Sequence, residues 1–211
     1  IMPYQDTRHM HFRKTIREIV GRPYRHALFY HFPGGLRFEL SEGDSPLDQA
    51  LSALRRATAV CADVFAEQER ILVHLGTYVR ESRFSLRPML RELGHAGIAI
   101  PAARDIWIEV DAEADDEHDI ASVLCCAFEV PAGKLQNLLW CAITAELGEL
   151  GPRPLCQIYL LNACKGIVVH PYDDRGMDVI GGDALALAGL YERHHALLLE
   201  HDIDAMRRSC S

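Results

Sequence analysis

The chain has 211 residues, of which 49% are hydrophobic, and its mean hydropathy is -0.03, the composition of an ordinary globular protein. Aspartate and glutamate outnumber lysine and arginine 30 to 22, giving a formal net charge of -8, which argues against binding to nucleic-acid phosphates. The length favours one domain over residues 1–211, and no run reaches the roughly 18 apolar residues that a membrane helix needs.

Helical and strand patterns alternate in the first part of the chain. Phe12, Ile16 and Ile19 predict a helix over residues 7–20. Apolar and polar residues alternate from Leu36 to Ser41, which predicts a half-buried strand. The preceding residues 28–32 fit either a partner strand or a short connector.

Ser45 as N-cap and Pro46 at the first helical position predict the start of a long helix. Apolar residues spaced by three or four predict its buried face, which comprises Leu47, Leu51, Leu54, Thr58, Cys61 and Phe65.

The later elements include several consecutive strands. In chain order we predict a strand over 70–79, a helix from 85 to 94 or 97, strands over 105–111 and 122–130, a helix over 131–148, strands over 155–163 and 166–172, a third strand after residues 173–176, a helix after Asp183, and a helical tail over 202–209. Consecutive strands require hairpins, so the sheet is mixed or largely antiparallel, with helices packed against it. The predicted fold class is α+β.

The seven cysteines are odd in number, and no two have CxxC spacing. Most have apolar neighbours, so we expect free thiols in a reducing cytoplasm, although a redox pair of Cys125 and Cys126 remains an alternative. Eleven histidines include no HExxH motif, so we predict neither a metal site nor a cofactor.

The segment from Val168 to Gly182, VVHPYDDRGMDVIGG, allows two interpretations. In the first, Asp173 and Asp174 shape a hairpin turn, Gly176 supplies a positive φ, and Arg175 is solvated. In the second, the hairpin tip presents two carboxylates and a guanidinium together as a site. We expect a turn role for one aspartate and an ion pair with Arg175 for the other.

Two further polar segments could belong to a site. Arg37 and Glu39 lie on one face of their strand, either as a solvent-facing or cross-strand ion pair or as a polar patch beside the hairpin. The run Glu109 to Asp119 holds seven acidic residues, which fits a solvated loop or the docking surface of a basic protein.

The runs YDDRGMDVI and LYERHHALLLEHDIDAM, together with GLRFELSEG, resemble recurrent stretches of a bacterial family, the domain of unknown function DUF3885. The resemblance covers nearly the whole chain. The final helix departs from it, because HHALLLEHD stands where a Trp-Leu-Leu-Asp-Tyr-like sequence is expected. The resemblance implies a single bacterial cytoplasmic domain and no mechanism.

Two functions remain open. The first is a protein-binding module with an immunity-type or docking role, in which an acidic surface binds a basic protein partner. The second is a small hydrolase that uses Asp173, Asp174 and Arg175 with Glu39 or His170. The candidate binding residues are Arg37, Glu39, Asp173, Asp174, Arg175 and Asp178.

Overall fold

A seven-stranded sheet organises the chain. The computed structural model describes residues 12–22, 27–79, 86–110, 122–148 and 150–209. Its strands are β1 (Leu36–Glu39), β2 (Arg70–Val79), β3 (Arg104–Val110), β4 (Ser122–Pro131), β5 (Gln157–Asn162), β6 (Ile167–Pro171) and β7 (Gly176–Gly181). Its α-helices are α1 (Phe12–Val20), α2 (Leu28–His31), α3 (Pro46–Val64), α4 (Leu86–His95), α5 (Leu135–Ile143), α6 (Ala184–Arg193) and α7 (Ile203–Ser209).

The strand order is β1-β7-β6-β5-β2-β4-β3, and every neighbouring pair is antiparallel. Strands that follow each other in the chain form the hairpins β3–β4, β5–β6 and β6–β7, which confirms the predicted α+β class. The remaining neighbours are far apart in sequence, since β1 pairs with β7, and β2 lies between β4 and β5. The acidic residues 111–119 of the β3–β4 connection lie outside the described residues.

Helices cover both faces of the sheet. The larger core lies between one face and helices α3 to α7, and includes Phe38, Val73 and Phe128. The smaller core lies between the other face and helices α1 and α2, and includes Ile16, Leu28 and Leu161. Apolar residues therefore occupy both sides of the central strands, which explains their nearly continuous hydrophobic sequences.

Helix α3 starts as predicted, because the Ser45 side chain accepts a hydrogen bond from the Asp48 amide at 3.1 Å. Its predicted buried face is wrong in the first two turns, where Leu47 and Leu51 are 53% and 51% exposed. The buried stripe consists of small or branched residues that let α3 pack closely, namely Ala50, Ser52, Ala53, Ala57, Val60, Cys61 and Val64.

Three other expectations can be compared with the structure. Asp183 caps α6 as predicted, accepting a bond from the Ala186 amide at 3.0 Å. Residues 28–31 form one helical turn, so the strand alternative for this segment is wrong. Six cysteines are free thiols, while Cys210 lies outside the described residues. Within the described ranges, no helix has both the length and the apolarity required to cross a membrane.

Candidate functional site

One residue from each strand contributes to a row that crosses the whole sheet on the α1–α2 face. Strand pairing aligns Arg37 with Asp178, Asp178 with His170, His74 with Tyr159, and Ala127 with both His74 and Asp105. The rings of Tyr159 and His170 stack with centroids 4.3 Å apart, which joins the two halves. We call this set the polar row; its members are Arg37, Asp178, His170, Tyr159, His74, Ala127 and Asp105.

A buried ion pair forms one end of the polar row. The Asp178 side chain is fully buried, and that of Arg37 is 10% exposed. Arg37 Nε donates to Asp178 Oδ1 at 2.9 Å and Nη2 donates to Oδ2 at 3.3 Å, while the Phe29 amide donates to Oδ2 at 3.0 Å. Three donors thus satisfy the carboxylate, which a buried charge requires.

Aromatic rings and a second carboxylate enclose the Arg37 guanidinium. Its central carbon lies 4.6 Å from the Tyr30 ring and 5.8 Å from the Tyr172 ring, and Asp202 Oδ2 lies 3.6 Å from Nη1. Burial by itself lowers the pKa of Arg37, but the hydrogen bond and charge of Asp178 outweigh it and raise the pKa. Burial, followed by the charge of Asp178, raises the pKa of Tyr172. The guanidinium stays charged and the phenol stays neutral at physiological pH.

Stacked rings form the middle of the polar row. The centroid of His74 lies 5.6 Å from that of Tyr159 and 5.1 Å from that of Trp107. Burial lowers the pKa of His74 to about 3, so this imidazole is neutral at physiological pH. The stack therefore runs from His170 on β6 through β5 and β2 to Trp107 on β3.

A cleft of about 420 Å³ opens where β5 begins, between its neighbouring strands β2 and β6. His170 and Tyr172 line one side, and Glu146 lies just beyond the end of α5. Tyr78 and Leu155 also line the cleft and are 59% and 69% exposed. The cleft thus combines exposed apolar side chains with a carboxylate.

The β6–β7 hairpin carries the DDRG tip beside this cleft. Asp173 accepts hydrogen bonds from the backbone amides of Arg175 at 2.8 Å and Gly176 at 3.3 Å, and from Arg175 Nε at 2.8 Å. One aspartate therefore both shapes the turn and pairs with the guanidinium. The expected division of these roles between Asp173 and Asp174 is wrong, because Asp173 performs both of them.

Asp174 contributes negative charge to the tip. Burial raises the pKa of Asp174, and the charge of Asp173 raises it further, with a smaller contribution from Glu146. Arg175 is the nearby cation, and it also bonds to Glu146 Oε2 at 3.4 Å. Three carboxylates thus share one guanidinium, so the tip is acidic.

Gly176 is essential to the hairpin for a different reason from the predicted one. It is the first residue of β7, outside the set of residues with positive φ, so the expectation of a left-handed turn residue is wrong. A Cβ at this position would lie 2.6 Å from Tyr172 Cζ and 3.1 Å from the Phe38 carbonyl oxygen. Glycine is needed because the Tyr172 ring crosses directly over the backbone.

The predicted residues fall into two groups. Arg37 and Asp178 meet in the buried pair. Arg37 therefore forms a cross-strand ion pair, as one alternative expected, but the pair is buried and does not face the solvent. Asp173, Asp174 and Arg175 form the tip, and Glu39 is exposed at the end of β1.

Sequence analysis missed Tyr172, Tyr159, His74, Glu146 and Asp202. For His74 a signal was available: it interrupts the apolar strand sequence RILVHLGTYV, an unusual position for a polar residue. His170 interrupts GIVVHPY in the same way. The other four carry no comparable signal, because only the folded sheet brings them near Arg37 or the cleft.

Comparison with known families agrees with the resemblance seen in the sequence. The family model described as Domain of unknown function (DUF3885) matches residues 12–202. A search of curated proteins and of solved structures finds no match for the chain. The matched range contains the polar row, the cleft and the hairpin tip.

Proposed function

The chain belongs to the family DUF3885, and from its site we propose that it is a protein-binding module that docks a basic, partly apolar segment of a partner protein in the cleft. One observation carries the proposal: the exposed side chains of Tyr78 and Leu155 line a cleft that also contains Glu146. Large exposed apolar groups grouped around a concavity are typical of interaction sites.

Charge complementarity identifies the partner's chemistry. Glu146 is 65% exposed, and at the hairpin tip Asp174 lies close to Asp173, whose charge adds to the effect of burial in raising the pKa of Asp174. Several carboxylates therefore lie together at the tip. A lysine or arginine of the partner would pair with them, while an adjacent apolar side chain would contact Tyr78 and Leu155. The net charge of -8 favours the same class of partner and disfavours nucleic acid.

The alternative hydrolase has less support. Asp173 is occupied by two backbone amides and Arg175, which removes it as a general base. Cys156 lines the cleft, but burial raises the pKa of its thiol, so it is a poor nucleophile. Glu39 is not among the residues that line the cleft. These features favour binding over catalysis by the hairpin.

In its finer form the proposal is an immunity-type role in a bacterial cytoplasm, in which the acidic tip and cleft cover part of a basic protein. The six free thiols support a reducing compartment. Neutralising a partner through a complementary surface requires only this docking geometry, with no chemistry in the cleft.

The test is capture of a partner from the native cell, followed by affinity measurement with purified components. Leu155→Asp places a charge on the apolar rim, and Glu146→Lys reverses the charge beside it. We expect each variant to weaken binding of the captured partner by at least about 10-fold, because each removes contacts at the centre of the site. The matched control is Leu185→Asp, since Leu185 is 87% exposed on α6 and does not line the cleft.

Two outcomes would contradict the proposal. One is a partner that binds both cleft variants as tightly as it binds the wild-type protein. The other is failure to capture any partner after chemical cross-linking in the native cell. Circular dichroism of each variant before binding separates lost contacts from lost structure.

A further inference from the structure

A second cavity, of about 230 Å³, lies under α1 on the same face of the sheet as the polar row. Three arginines from α1 and the residues after it surround the cavity, and two rings at the β3 end of the stack form part of its wall. We call it the arginine cavity; the residues used below are Arg13, Arg17, Arg22, His74, Trp107 and Glu109.

The arginine cavity is positively charged in a protein whose net charge is -8. Among the described residues that line it, three are arginines and one, Glu109, carries a carboxylate. This carboxylate accepts a hydrogen bond from Trp107 Nε1 at 2.8 Å and lies 4.0 Å from Arg17 Nη2. Burial lowers the pKa of His74 to about 3, so its imidazole adds no charge near neutral pH. The described residues of the lining therefore carry a net charge of about +2.

One nitrogen of the Arg13 guanidinium donates no hydrogen bond to the described residues around the cavity. Its guanidinium lies over the Trp107 ring at 5.5 Å, and its buried Nε has no hydrogen-bond partner among the described residues. The backbone amide of Arg13 bonds to Asp105 Oδ2 at 3.0 Å, which fixes the start of α1 against β3. Buried guanidinium donors are normally satisfied, so this one indicates an acceptor supplied by a ligand.

We propose that the arginine cavity binds the phosphate group of a small phosphorylated molecule. A phosphate monoester carries a charge of about -1.5 to -2 at pH 7, which matches the lining, and its oxygens suit the planar donor pairs of arginine. A carboxylate would leave one positive charge uncompensated.

The adjoining space accommodates the rest of such a molecule. A groove of about 410 Å³ shares Arg13, Arg17 and Trp107 with the arginine cavity. It adds the cations Lys14 and Arg104, the carboxylate of Asp105 and the side chain of Ile106. His74 stacks on the Trp107 ring, and the Arg13 guanidinium also lies over it, so the ring is poorly placed to stack on a base. The site thus favours the phosphate group itself over an aromatic part of the ligand.

Calorimetric titration of the full chain with inorganic phosphate and with glycerol 3-phosphate tests the proposal. We expect one saturable site per chain, and binding of acetate at least about 10-fold weaker. Arg13→Gln removes the buried donor and is expected to weaken phosphate binding by at least about 10-fold, the typical effect of losing one charge-assisted hydrogen bond. Arg55→Gln is the control, because Arg55 is exposed on α3, across the sheet from the cavity.

A second variant decides the result if Arg13→Gln fails to fold. Arg17 and Arg22 are exposed, so the double change Arg17→Gln, Arg22→Gln is expected to preserve the fold and still weaken phosphate binding. Absence of saturable binding with both phosphate probes would overturn the proposal. So would arginine variants that bind phosphate like the wild-type protein, or acetate that binds as tightly as phosphate.

Discussion

Replacing Asp178 by asparagine is the most direct perturbation of the polar row. The substitution preserves side-chain shape and removes the charge from a fully buried position. The carboxylate accepts bonds from the Phe29 amide and from two nitrogens of Arg37, so the asparagine NH₂ must face a donor on one side. Asp202, whose nearest oxygen is 3.6 Å away, would remain as a carboxylate partner of Arg37.

The expected cost is about 3–5 kcal/mol of unfolding free energy, the usual result of removing one partner from a buried pair. A matched control is Glu129→Gln. The Glu129 carboxylate lies 3.0 Å from Arg70 Nε, nearly the same distance as in the buried pair, but the two side chains are 29% and 50% exposed. Loss of that pair should cost less than about 1 kcal/mol, because solvent already screens it.

Urea unfolding followed by far-ultraviolet circular dichroism measures both variants at pH 7. A loss below about 1 kcal/mol for Asp178→Asn, equal to the control, would refute the argument that burial gives this pair its importance. The double variant Arg37→Met, Asp178→Leu refines the test, since it removes both charges. We expect it to recover at least half of the lost stability, as replacement of a buried ion pair by apolar residues often does.

Three further predictions concern single residues. Gly176→Ala should lower the free energy of unfolding by roughly 1–3 kcal/mol, because the alanine Cβ would overlap the ring of Tyr172. The control Gly182→Ala places its Cβ in open space and should change the free energy of unfolding little in the same urea assay. The pKa of His74 is lowered from 6.5 to about 3, so between these pH values the unfolded chain binds a proton that the folded protein does not. Stability therefore falls as the pH decreases from about 6.5 towards 3. His74→Leu should flatten this pH dependence, and the control variant His95→Gln, at an exposed site, should not. The raised pKa of Asp174 has the opposite effect on the pH dependence, because the folded protein binds this proton more tightly and stability falls as the pH rises through that pKa. Asp174→Asn should therefore be more stable than the wild-type protein at pH 7 but not at pH 3. Lower stability of the variant at pH 7 would contradict this prediction.

The sequence predicted the helices and strands themselves better than it predicted which of them lie next to each other. Alternation and caps located β1, α3 and α6, because these signals are local. Strand order was not predictable, since the pairing of β1 with β7 joins segments about 140 residues apart and depends on how the cores close. The same limit applies to Arg37. The sequence predicted that its side chain lies on one face of β1, but not that the rings of Tyr30 and Tyr172 cover its guanidinium.

Packing also explains two of the local errors. In α3 the large residues Leu47 and Leu51 fit the helical period, yet the helix turns its alanines inward because α5 and the sheet approach closely. At Gly176 the turn pattern suggested a positive φ, yet the constraint is the ring of Tyr172. In both cases the deciding contact comes from a residue whose position the local sequence does not specify.

The pairing of Arg37 at one end of the polar row bears on whether the neighbouring cleft binds or catalyses. Arg37 is satisfied by Asp178 and Asp202, and the pKa of Tyr172 is raised by burial, so neither group is poised to exchange a proton at neutral pH. What faces the solvent at the cleft is apolar surface from Leu155 and the carboxylate of Glu146. A buried ion pair and stacked rings behind such a surface would hold its shape during docking of the proposed partner, which would reduce the ordering cost of binding. This arrangement supports the proposed recognition role, in which the buried charges would act as scaffold and the rim would provide the contacts.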